Sequence, residues 1–274
     1  MTQDISIFGI IVGMLLMAVP VFLFHRYRTG LVLPTLSATA RMVVQLVLIG
    51  FYLKYLFEYD LWYVNLLWGL IMVGVASWTA VQRTRLKTSL LFKPFFIAFL
   101  ATALLVGVFF LTLVLRLDEA MQVNLNLHVV FSARYFIPIF GLLLGNMLGV
   151  NILSLSTYYE GIQRERQMYD FMLANGATRW EATMPFLRAA IRKSFNPCIA
   201  NMAIMGIVAL PGTMIGQILG GSDPTTAIKY QMMIVVITFV ASMISLMITV
   251  TIAFRRSFDE YGNLKDVFEQ QPAK

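Results

Sequence analysis

Long apolar runs separated by short polar stretches dominate this chain of 274 residues. The runs lie near 5–24, 36–56, 62–82, 94–116, 129–157, 197–221 and 227–254. Each is close to the length of about 20 helical residues that crosses the hydrocarbon core of a bilayer. Such runs form helices unless they close into a barrel, and the alternating segments of about ten residues that a barrel requires are not seen here. The pattern predicts an all-α membrane protein with about seven transmembrane helices.

A secretory signal peptide is the alternative for the first run, Ile5 to Phe24. A signal peptide begins with a basic stretch and is followed by small residues at a cleavage site. Here no basic residue precedes the run, its charge follows at Arg26 and Arg28, and no such cleavage site is present. We therefore interpret the run as the first transmembrane helix.

The distribution of lysine and arginine predicts the orientation, because these residues mark cytoplasmic loops. The loops on one side of the predicted spans contain sixteen basic residues, and those on the other side contain three. This asymmetry predicts an N-out/C-in topology, with the first set in the cytoplasm. The first set is Arg26, Arg28, Arg83, Arg85, Lys87, Lys93, Arg164, Arg166, Arg179, Arg188, Arg192, Lys193, Arg255, Arg256, Lys265 and Lys274, and the opposite set is Lys54, Arg116 and Lys229.

Composition agrees with a membrane protein and excludes several other classes. Hydrophobic residues make up 59% of the chain and charged residues 13%, about half the charged fraction of a soluble domain. The net charge of +7 does not indicate nucleic-acid binding, because the basic residues lie between apolar runs and form no continuous basic face. The single cysteine, Cys198, excludes an internal disulfide framework and a CxxC metal or redox site.

The sequence contains no obvious catalytic or metal-binding arrangement. His25 and His128 are predicted on opposite sides of the membrane and cannot share a metal ion. The seventeen methionines are compatible with a soft-metal path, but without paired cysteines or histidines they are more typical of flexible packing. No nucleophile–base arrangement occurs, so we predict a chain that is not an enzyme and holds no cofactor of its own.

A polar segment, residues 158–196, lies between the fifth and sixth predicted spans on the cytoplasmic side. Glu165 to Asn175 is predicted as a short helix that Gly176 ends, because glycine readily takes the left-handed conformation after a helix. Thr178 and Glu181 fit a capping box at the start of the next helix.

The rest of this segment leaves two interpretations open. Pro185 fits the start of a further helical piece, and Asn196-Pro197 fits the start of the sixth span. Arg188, Arg192 and Lys193 are compatible with an amphipathic segment that lies on lipid headgroups. Short, tightly turned helices are equally compatible with a docking element for a cytoplasmic partner.

The turn in this segment resembles a known coupling element. Asn175-Gly176-Ala177-Thr178 followed by Trp180 is similar to the Gly-Ala-Ser/Thr turn in the cytoplasmic coupling loop of ABC-transporter permeases. The resemblance implies that Gly176, Ala177, Thr178, Trp180 and Glu181 contact a cytoplasmic ABC ATPase subunit. Importers of that class carry a Leu-Pro pair at a set distance after the glycine. Pro185 comes about one helical turn too early, so the sequence does not match a regular importer.

Four further stretches resemble one family of bacterial permeases. They are Leu210 to Pro224 (LPGTMIGQILGGSDP), Ala227 to Gln231 (AIKYQ), Arg41 to Leu46 (RMVVQL) and Gly145 to Met147 (GNM). Together they are similar to the FetB-like family, and the likeness covers most of the chain. The resemblance implies ATP-driven export of iron, with ATP and Mg bound by a separate partner ATPase. Plant relatives are associated with aluminium tolerance, so the cargo stays open.

The residues themselves agree with ATP hydrolysis on another chain. No GxxxxGK[ST] phosphate-binding loop occurs in the sequence. None of the fourteen acidic residues lies well inside a predicted span. Proton-driven carriers and sites for bare cations usually keep a carboxylate in the membrane, so its absence argues against both. If the cargo is iron, the sequence fits transport of a chelate, or transient coordination by carbonyl groups, better than a binding site for the bare cation.

The sixth run contains the feature that best marks a translocation path. Leu210-Pro211-Gly212 interrupts it near its middle, because proline removes a backbone donor and glycine bends freely. Transporters often place substrate sites at such breaks, although a proline kink satisfied by packing gives the same pattern. Gln217 follows about two turns later and is expected to face the same cavity. Asn146 and Asn151 in the fifth run are further cavity candidates.

Two arginines near the ends of predicted spans have two interpretations each. Arg41 in the second span, with Gln45 one helical turn further in, is placed either to meet an anionic ligand group on the path or to extend to the cytoplasmic surface. Arg134, at the external end of the fifth span, has the same alternatives.

Glycines recur at four-residue spacing in the fifth and sixth spans. Small residues at this spacing let helices approach closely, either within the chain or across a homodimer. Because ABC transporters contain two permease halves and one chain of this size supplies one, we expect two copies. The glycines are Gly141, Gly145 and Gly149, and Gly212, Gly216 and Gly220.

We therefore predict a single transmembrane permease domain over residues 1–274 in the cell (inner) membrane. Its expected partners are membrane lipid, a second copy of itself and an ABC ATPase, and no nucleic acid. A secondary carrier that needs no ATPase is one alternative. The other is a non-transporting membrane protein whose cytoplasmic segment recruits a partner.

Overall fold

The computed structural model describes residues 6–114, 130–259 and 262–268, and within these ranges it is helical apart from turns and isolated bridges. The described ranges contain ten α-helices, and a π-helical turn, Phe110–Val114, continues the fifth of them. They are α1 Ile7–Leu15, α2 Ala18–Arg26, α3 Val32–Tyr59, α4 Trp62–Thr84, α5 Thr88–Phe109, α6 Ala133–Arg164, α7 Arg166–Ala174, α8 Arg179–Ile204, α9 Gly212–Leu219 and α10 Pro224–Ser257.

Six stretches of helix in the described ranges are long and apolar enough to cross a membrane. They match six of the seven predicted spans, and they are Phe8–Arg26, Val32–Tyr59, Trp62–Thr84, Thr88–Thr112, Ala133–Arg164 and Pro224–Ser257. The all-helical prediction is confirmed, whereas the count of seven crossings and the N-out/C-in orientation stay predictions. Arg116, His128 and Lys274, used in those predictions, lie outside the described residues.

The sixth run, 197–221, is interrupted as predicted at Leu210-Pro211-Gly212, but the break begins earlier than the sequence indicated. Helix α8 ends at Ile204, residues 205–211 are not helical, and α9 is only 8 residues long. The interruption has a local cause, because Gly206 takes the left-handed conformation with φ +88° and Pro211 has no backbone N–H to continue a helix.

The expected boundaries at Pro185 and Pro197 are also wrong. Both prolines lie inside α8, which runs without a break from Arg179 to Ile204. One face of α8 packs along α6, and Ala182, Phe186 and Ala190 are buried there. A proline inside a helix costs about 3 kcal/mol in isolation, so packing outweighs the local penalty here.

The core lies between α4, α5, α6, α8 and α10, with α6 in contact with the other four. Its fully buried side chains include Phe95, Phe99 and Leu143. Polar contacts also tie α6 to its neighbours. Asn151 Nδ2 donates to Ser245 Oγ on α10 at 3.1 Å, Tyr159 and Ser257 of α10 share a 2.7 Å hydrogen bond, and Ser154 and Ser194 on α8 share one of 2.6 Å.

Helices α1 to α3 lie largely outside this core. The apolar windows of Phe8–Arg26 and Val32–Tyr59 have no buried residue, and Leu56 is the one buried side chain of α3. The C-terminal part of α3 is held at Asp60, whose carboxylate accepts hydrogen bonds from the Ala133 amide at 2.6 Å and from Asn65 Nδ2 at 3.0 Å. This contact fixes the start of α6 beside α4.

The opposite end of the core is closed by the tail, residues 258–268, after α10. The Lys87 amide donates to the Val267 carbonyl at 2.7 Å, and the side chains of Lys87 and Asp266 form an ion pair at 2.6 Å. Tyr169 in α7 donates its hydroxyl to the Gly262 carbonyl at 2.6 Å. The tail therefore joins the α4–α5 connection to α7, at the end where basic loops were predicted.

Candidate functional site

The break between α8 and α9 forms a compact turn instead of an open loop. The Gly206 amide donates to the Ala209 carbonyl at 2.9 Å, and the Val208 amide donates to the Ile204 carbonyl at 3.0 Å. Ile207 at the tip of the turn is 92% exposed. Because α8 starts beside the tail and α9 leads to α10 at the other end of the core, the turn lies part of the way along the bundle.

A cavity of about 210 Å³, which we call the deep cavity, lies between α6, α8, α9 and α10 beside this turn. Gln231 is buried in its wall and accepts a 2.6 Å hydrogen bond from Thr213 Oγ1, which fixes α9 against α10. Cys198, Met202 and Met205 supply thiol and thioether groups. The polar lining residues are Asn146, Asn201, Thr213, Gln231, Thr238 and Ser242.

A second cavity of about 560 Å³, the outer cavity, extends from the deep cavity towards the N-terminal end of α6. The two cavities share Leu142, Thr213 and Ile234 in their walls, so they are adjacent. The outer cavity adds a cation at Arg134 and several uncharged polar groups. These polar groups belong to Tyr135, Gln217, Ser222, Thr226 and Tyr230.

The two cavities together form a passage from one end of the core to the level of the break, and its mainly apolar walls carry scattered polar groups. No aspartate or glutamate lines either of them among the described residues. Those residues also contain no group of three or more His, Cys, Asp or Glu side chains that could hold a metal ion. The passage therefore offers hydroxyl, amide and sulfur groups and one guanidinium.

The structure brings four of the six predicted path residues to this region. Asn146 lines the deep cavity, Gln217 lines the outer cavity, and Gly212 begins α9 after the break. Pro211 lines an adjoining apolar cavity of about 550 Å³ that shares Met202, Met205 and Gln231 with the deep cavity.

Arg41 and Gln45 do not join this group. Both are exposed on α3, and Gln45 faces a separate apolar groove between α3, α4 and α6. Asn151 lies away from the cavities as well, because it is fully buried and bonded to Ser245 between α6 and α10.

Several cavity residues were not identified from the sequence. Asn201 and Gln231 are single amides within apolar stretches, and that pattern is a usable signal because an amide in hydrocarbon needs a partner. Thr213, Thr226 and Ser242 give a much weaker signal. A hydroxyl on a helix can bond its own backbone, as Ser242 Oγ does with the Thr238 carbonyl at 2.7 Å.

The glycine repeats make few close contacts within the chain. A Cβ atom built on Gly141 would lie 3.1 Å from Met72 Cε, so this glycine permits close approach of α4 and α6. Cβ atoms on Gly145, Gly149, Gly212 and Gly216 would meet nothing within 4 Å, and one on Gly220 would meet only backbone atoms of Gly216 and Gln217. Packing between the fifth and sixth spans therefore does not explain the repeats.

The predicted coupling residues form a helical hairpin at the tail end of the core. Gly176 has φ +89°, its amide donates to the Leu173 carbonyl at 3.0 Å, and the Ala177 amide donates to the Met172 carbonyl at 3.1 Å. This is the hydrogen-bond pattern that closes a helix through a left-handed glycine. The predicted short helix and its end at Gly176 are confirmed.

The capping box is confirmed too. The Glu181 amide donates to Thr178 Oγ1 at 3.3 Å, and the Thr178 amide donates to Glu181 Oε2 at 2.8 Å. Hydrogen bonds from the Thr178 hydroxyl and amide hold the pKa of the Glu181 carboxyl below its usual value. The box therefore stabilises the hairpin at neutral pH and is lost as acidification protonates Glu181.

The hairpin is exposed at its tip and anchored at its base. Gly176, Thr178 and Glu181 are exposed, whereas Trp180 packs its ring edge-on against Phe254 of α10 with centroids 5.5 Å apart. Arg179 Nη1 donates to the Asp259 carbonyl at 2.8 Å. The base of the hairpin therefore contacts the tail and α10, and α10 lines both cavities.

Comparisons with known proteins match most of the chain. The profile of the "Uncharacterised protein family (UPF0014)" matches residues 7–258. "UPF0014 membrane protein YjkA" of Bacillus subtilis is 28% identical over 253 residues, 92% of this chain and 95% of the relative. "Probable iron export permease protein FetB" of Escherichia coli is 26% identical over 263 residues, 96% of both chains. "UPF0014 membrane protein STAR2" of Oryza sativa subsp. japonica is 31% identical over 249 residues, 91% of this chain and 82% of the relative. No solved structure matches the chain.

Proposed function

Because this multi-pass membrane protein belongs to the UPF0014 family, we propose that it is the permease subunit of an ATP-driven, ABC-type exporter. The observation that carries the proposal is the passage beside a broken helix, with polar side chains set in its mainly apolar walls. Soluble cargo needs polar groups at membrane depth, and a broken helix supplies backbone groups there as well. The location that fits such a permease is the cell (inner) membrane.

The hairpin of α7 and α8 supports an ATPase partner. It presents an exposed turn, with Gly176 at its tip, and its base contacts α10 through Trp180 and the tail through Arg179. In this proposal Gly176, Ala177, Thr178, Trp180 and Glu181 dock the ATPase, which binds ATP and Mg. Nucleotide-driven movement of the hairpin then shifts α8 and α10 and changes the cavities between them.

An iron chelate is the cargo that we propose. The name of the Escherichia coli relative supports iron and export. The passage supports a chelate instead of the bare cation, because no described carboxylate lines it and Arg134 would repel Fe²⁺. In a chelate the iron stays coordinated by the oxygen ligands of the chelator. The permease then needs to supply only hydrogen bonds and one positive charge.

A second copy of the chain completes the transporter in this proposal. Irregular backbone at membrane depth is tolerated only where protein or a water-filled cavity covers it. The turn at 205–211 is open on one side, and Ile207 and Val208 are 92% and 77% exposed. A second copy against this face would cover the turn and close the passage from lipid.

Capture of the ATPase tests the proposal. The tagged chain is purified from its native membrane in mild detergent, and any co-purifying chain with a GxxxxGK[ST] loop is identified. The complex is then placed in vesicles, where ATP-dependent transport of radioactive iron is measured with a chelator present. Wild type is expected to capture one ATPase and to move iron only with ATP.

Variants at the hairpin test whether it is the part of the chain that docks the ATPase and couples ATP hydrolysis to transport. Gly176→Val forces a β-branched residue into a left-handed conformation that costs roughly 1–2 kcal/mol or more, although its Cβ meets no other atom. We expect it to uncouple ATP hydrolysis from transport, and Trp180→Asp to weaken capture. Gly176→Asn is the matched control, because asparagine tolerates this conformation. Transport driven by an ion gradient without ATP, or full coupling in Gly176→Val, would contradict the proposal.

A further inference from the structure

We infer that the outer cavity is a binding site for an anionic, oxygen-rich small molecule of the polycarboxylate class, held by Arg134. The inference deepens the proposed function by giving the chemical class of the cargo, and it rests on that function for its biological sense. The site itself is argued from the charges, the hydrogen-bonding groups and the size of the cavity.

Arg134 is a positive charge that the described part of the chain leaves without an ion pair. It is the second residue of α6, its side chain is exposed, and it lines the outer cavity. The described ion pairs are Lys87–Asp266, Arg164–Glu165 and Arg166–Asp170, all far from this end. A guanidinium presents a planar set of donors that matches a carboxylate in two parallel hydrogen bonds.

Two of the described acidic residues at this end, Asp60 and Asp223, are occupied by nearby hydrogen-bond donors. Asp60 accepts from the Ala133 amide, the Ser132 hydroxyl and Asn65 Nδ2. Asp223 accepts from the hydroxyl and amide of Thr225 and caps the start of α10. Neither carboxylate lines the cavity, so the charge of Arg134 faces it without a competing described anion.

The remaining polar groups suit an oxygen-rich ligand. Thr226, Tyr230 and Ser222 contribute hydroxyls, and Gln217 contributes an amide, on the opposite wall from α6. Hydroxyls and amides donate to carboxylates and also accept from ligand hydroxyls. A volume of about 560 Å³ lies within the usual range of small-molecule sites, about 300–1,000 Å³.

The same positive charge has a second possible source of anion, the phosphate of a lipid headgroup. The outer cavity favours a soluble ligand, because polar side chains continue from it through Thr213 to the amides of the deep cavity. A lipid phosphate would need only Arg134 at the surface. The experiment below separates the two sources.

The test is calorimetric titration of the purified full chain, in uncharged detergent and without ATPase, with citrate, with ferric citrate and with Fe²⁺ alone. We expect citrate or ferric citrate to bind, Arg134→Gln to weaken binding at least tenfold, and Arg134→Lys to give an intermediate loss. Arg41→Gln is the matched control, because Arg41 is exposed on α3 and lines neither cavity. Its affinity should equal that of wild type.

Three results would overturn the inference. The first is no binding of either citrate form by wild type, and the second is unchanged affinity in an Arg134→Gln variant that melts at the wild-type temperature. The third is loss of citrate binding when phosphatidylglycerol is added at a few molecules per chain, which would assign Arg134 to lipid headgroups. Since no ATPase is present, a failure of ATPase capture and a failure of this site are distinguished by separate measurements.

Discussion

At the scale of single residues, the two asparagines of α6 show how similar side chains take different roles. Asn151 is fully buried and donates to the Met147 carbonyl at 2.9 Å and to Ser245 on α10. Asn146 is exposed to the deep cavity and donates to the Leu142 carbonyl of its own helix at 2.9 Å. The first therefore joins two helices, and the second faces the deep cavity.

We therefore expect substitution by alanine to affect mainly stability at Asn151 and mainly transport at Asn146. Asn151→Ala should lower the free energy of unfolding by about 1–2 kcal/mol, because it removes an interhelical hydrogen bond and leaves a small void. Asn146→Ala should change stability by less than about 0.5 kcal/mol and reduce transport at least severalfold. Thermal unfolding in detergent and transport in vesicles measure the two effects. Equal transport in wild type and Asn146→Ala would remove Asn146 from the path.

At the scale of elements, the tail connects parts of the chain that are far apart in sequence. Gly262 fits closely against the hairpin, because a Cβ there would lie 3.3 Å from Leu173 and 3.4 Å from Arg179, and its φ is +88°. The carbonyl of Gly262 accepts from Tyr169, and Val267 is buried beside Leu86. The tail thus holds the hairpin in a fixed relation to α5 and α10.

Tyr169→Phe tests this role of the tail. The substitution removes one hydroxyl donor to a buried carbonyl, which costs about 1 kcal/mol and corresponds to roughly fivefold faster opening. Hydrogen exchange of the peptide covering 262–268 should accelerate by that factor. Tyr55→Phe, at an exposed position of α3, is the control and should leave this exchange unchanged. Unaltered protection in Tyr169→Phe would mean that the other contacts hold the tail alone.

At the scale of the whole molecule, large exposed apolar side chains are found at the helix break and along α1 to α3. Lipid can cover regular apolar helices such as α3, because their backbone groups are already bonded. It cannot cover the turn at 205–211 in the same way. The face that includes the turn is therefore where our proposal places the second copy.

Cross-linking locates that copy. In a Cys198→Ser background, which removes the single cysteine, Ile207→Cys should form a covalent dimer in native membranes with oxidant or a short bismaleimide. Phe51→Cys is the control, because Phe51 is 75% exposed on α3 and is expected to face lipid. Cross-linking of Phe51→Cys alone, or equal yields at both sites, would place the interface elsewhere.

The sequence by itself determined the features that depend on local interactions. Six spans follow from apolar length alone, since the transfer of about 20 apolar residues into hydrocarbon needs no knowledge of their neighbours. The end of α7 at Gly176 and the capping box at Thr178 and Glu181 follow from contacts within three or four residues. The break at Pro211 was also visible, because proline and glycine act on the backbone next to them.

Only the tertiary structure decided which of these local signals prevail and which side chains meet. Pro185 and Pro197 remain inside α8 because the helix packs along α6, an energy that the local sequence does not contain. Arg41 lies away from the passage whereas Arg134 lines it, although both occupy similar positions near span ends. The hydrogen bond from Thr213 to Gln231 and the contacts of the tail join residues 18 to 179 positions apart. Such pairs are set by how helices pack, and packing depends on the shapes of whole faces instead of on any short stretch of chain.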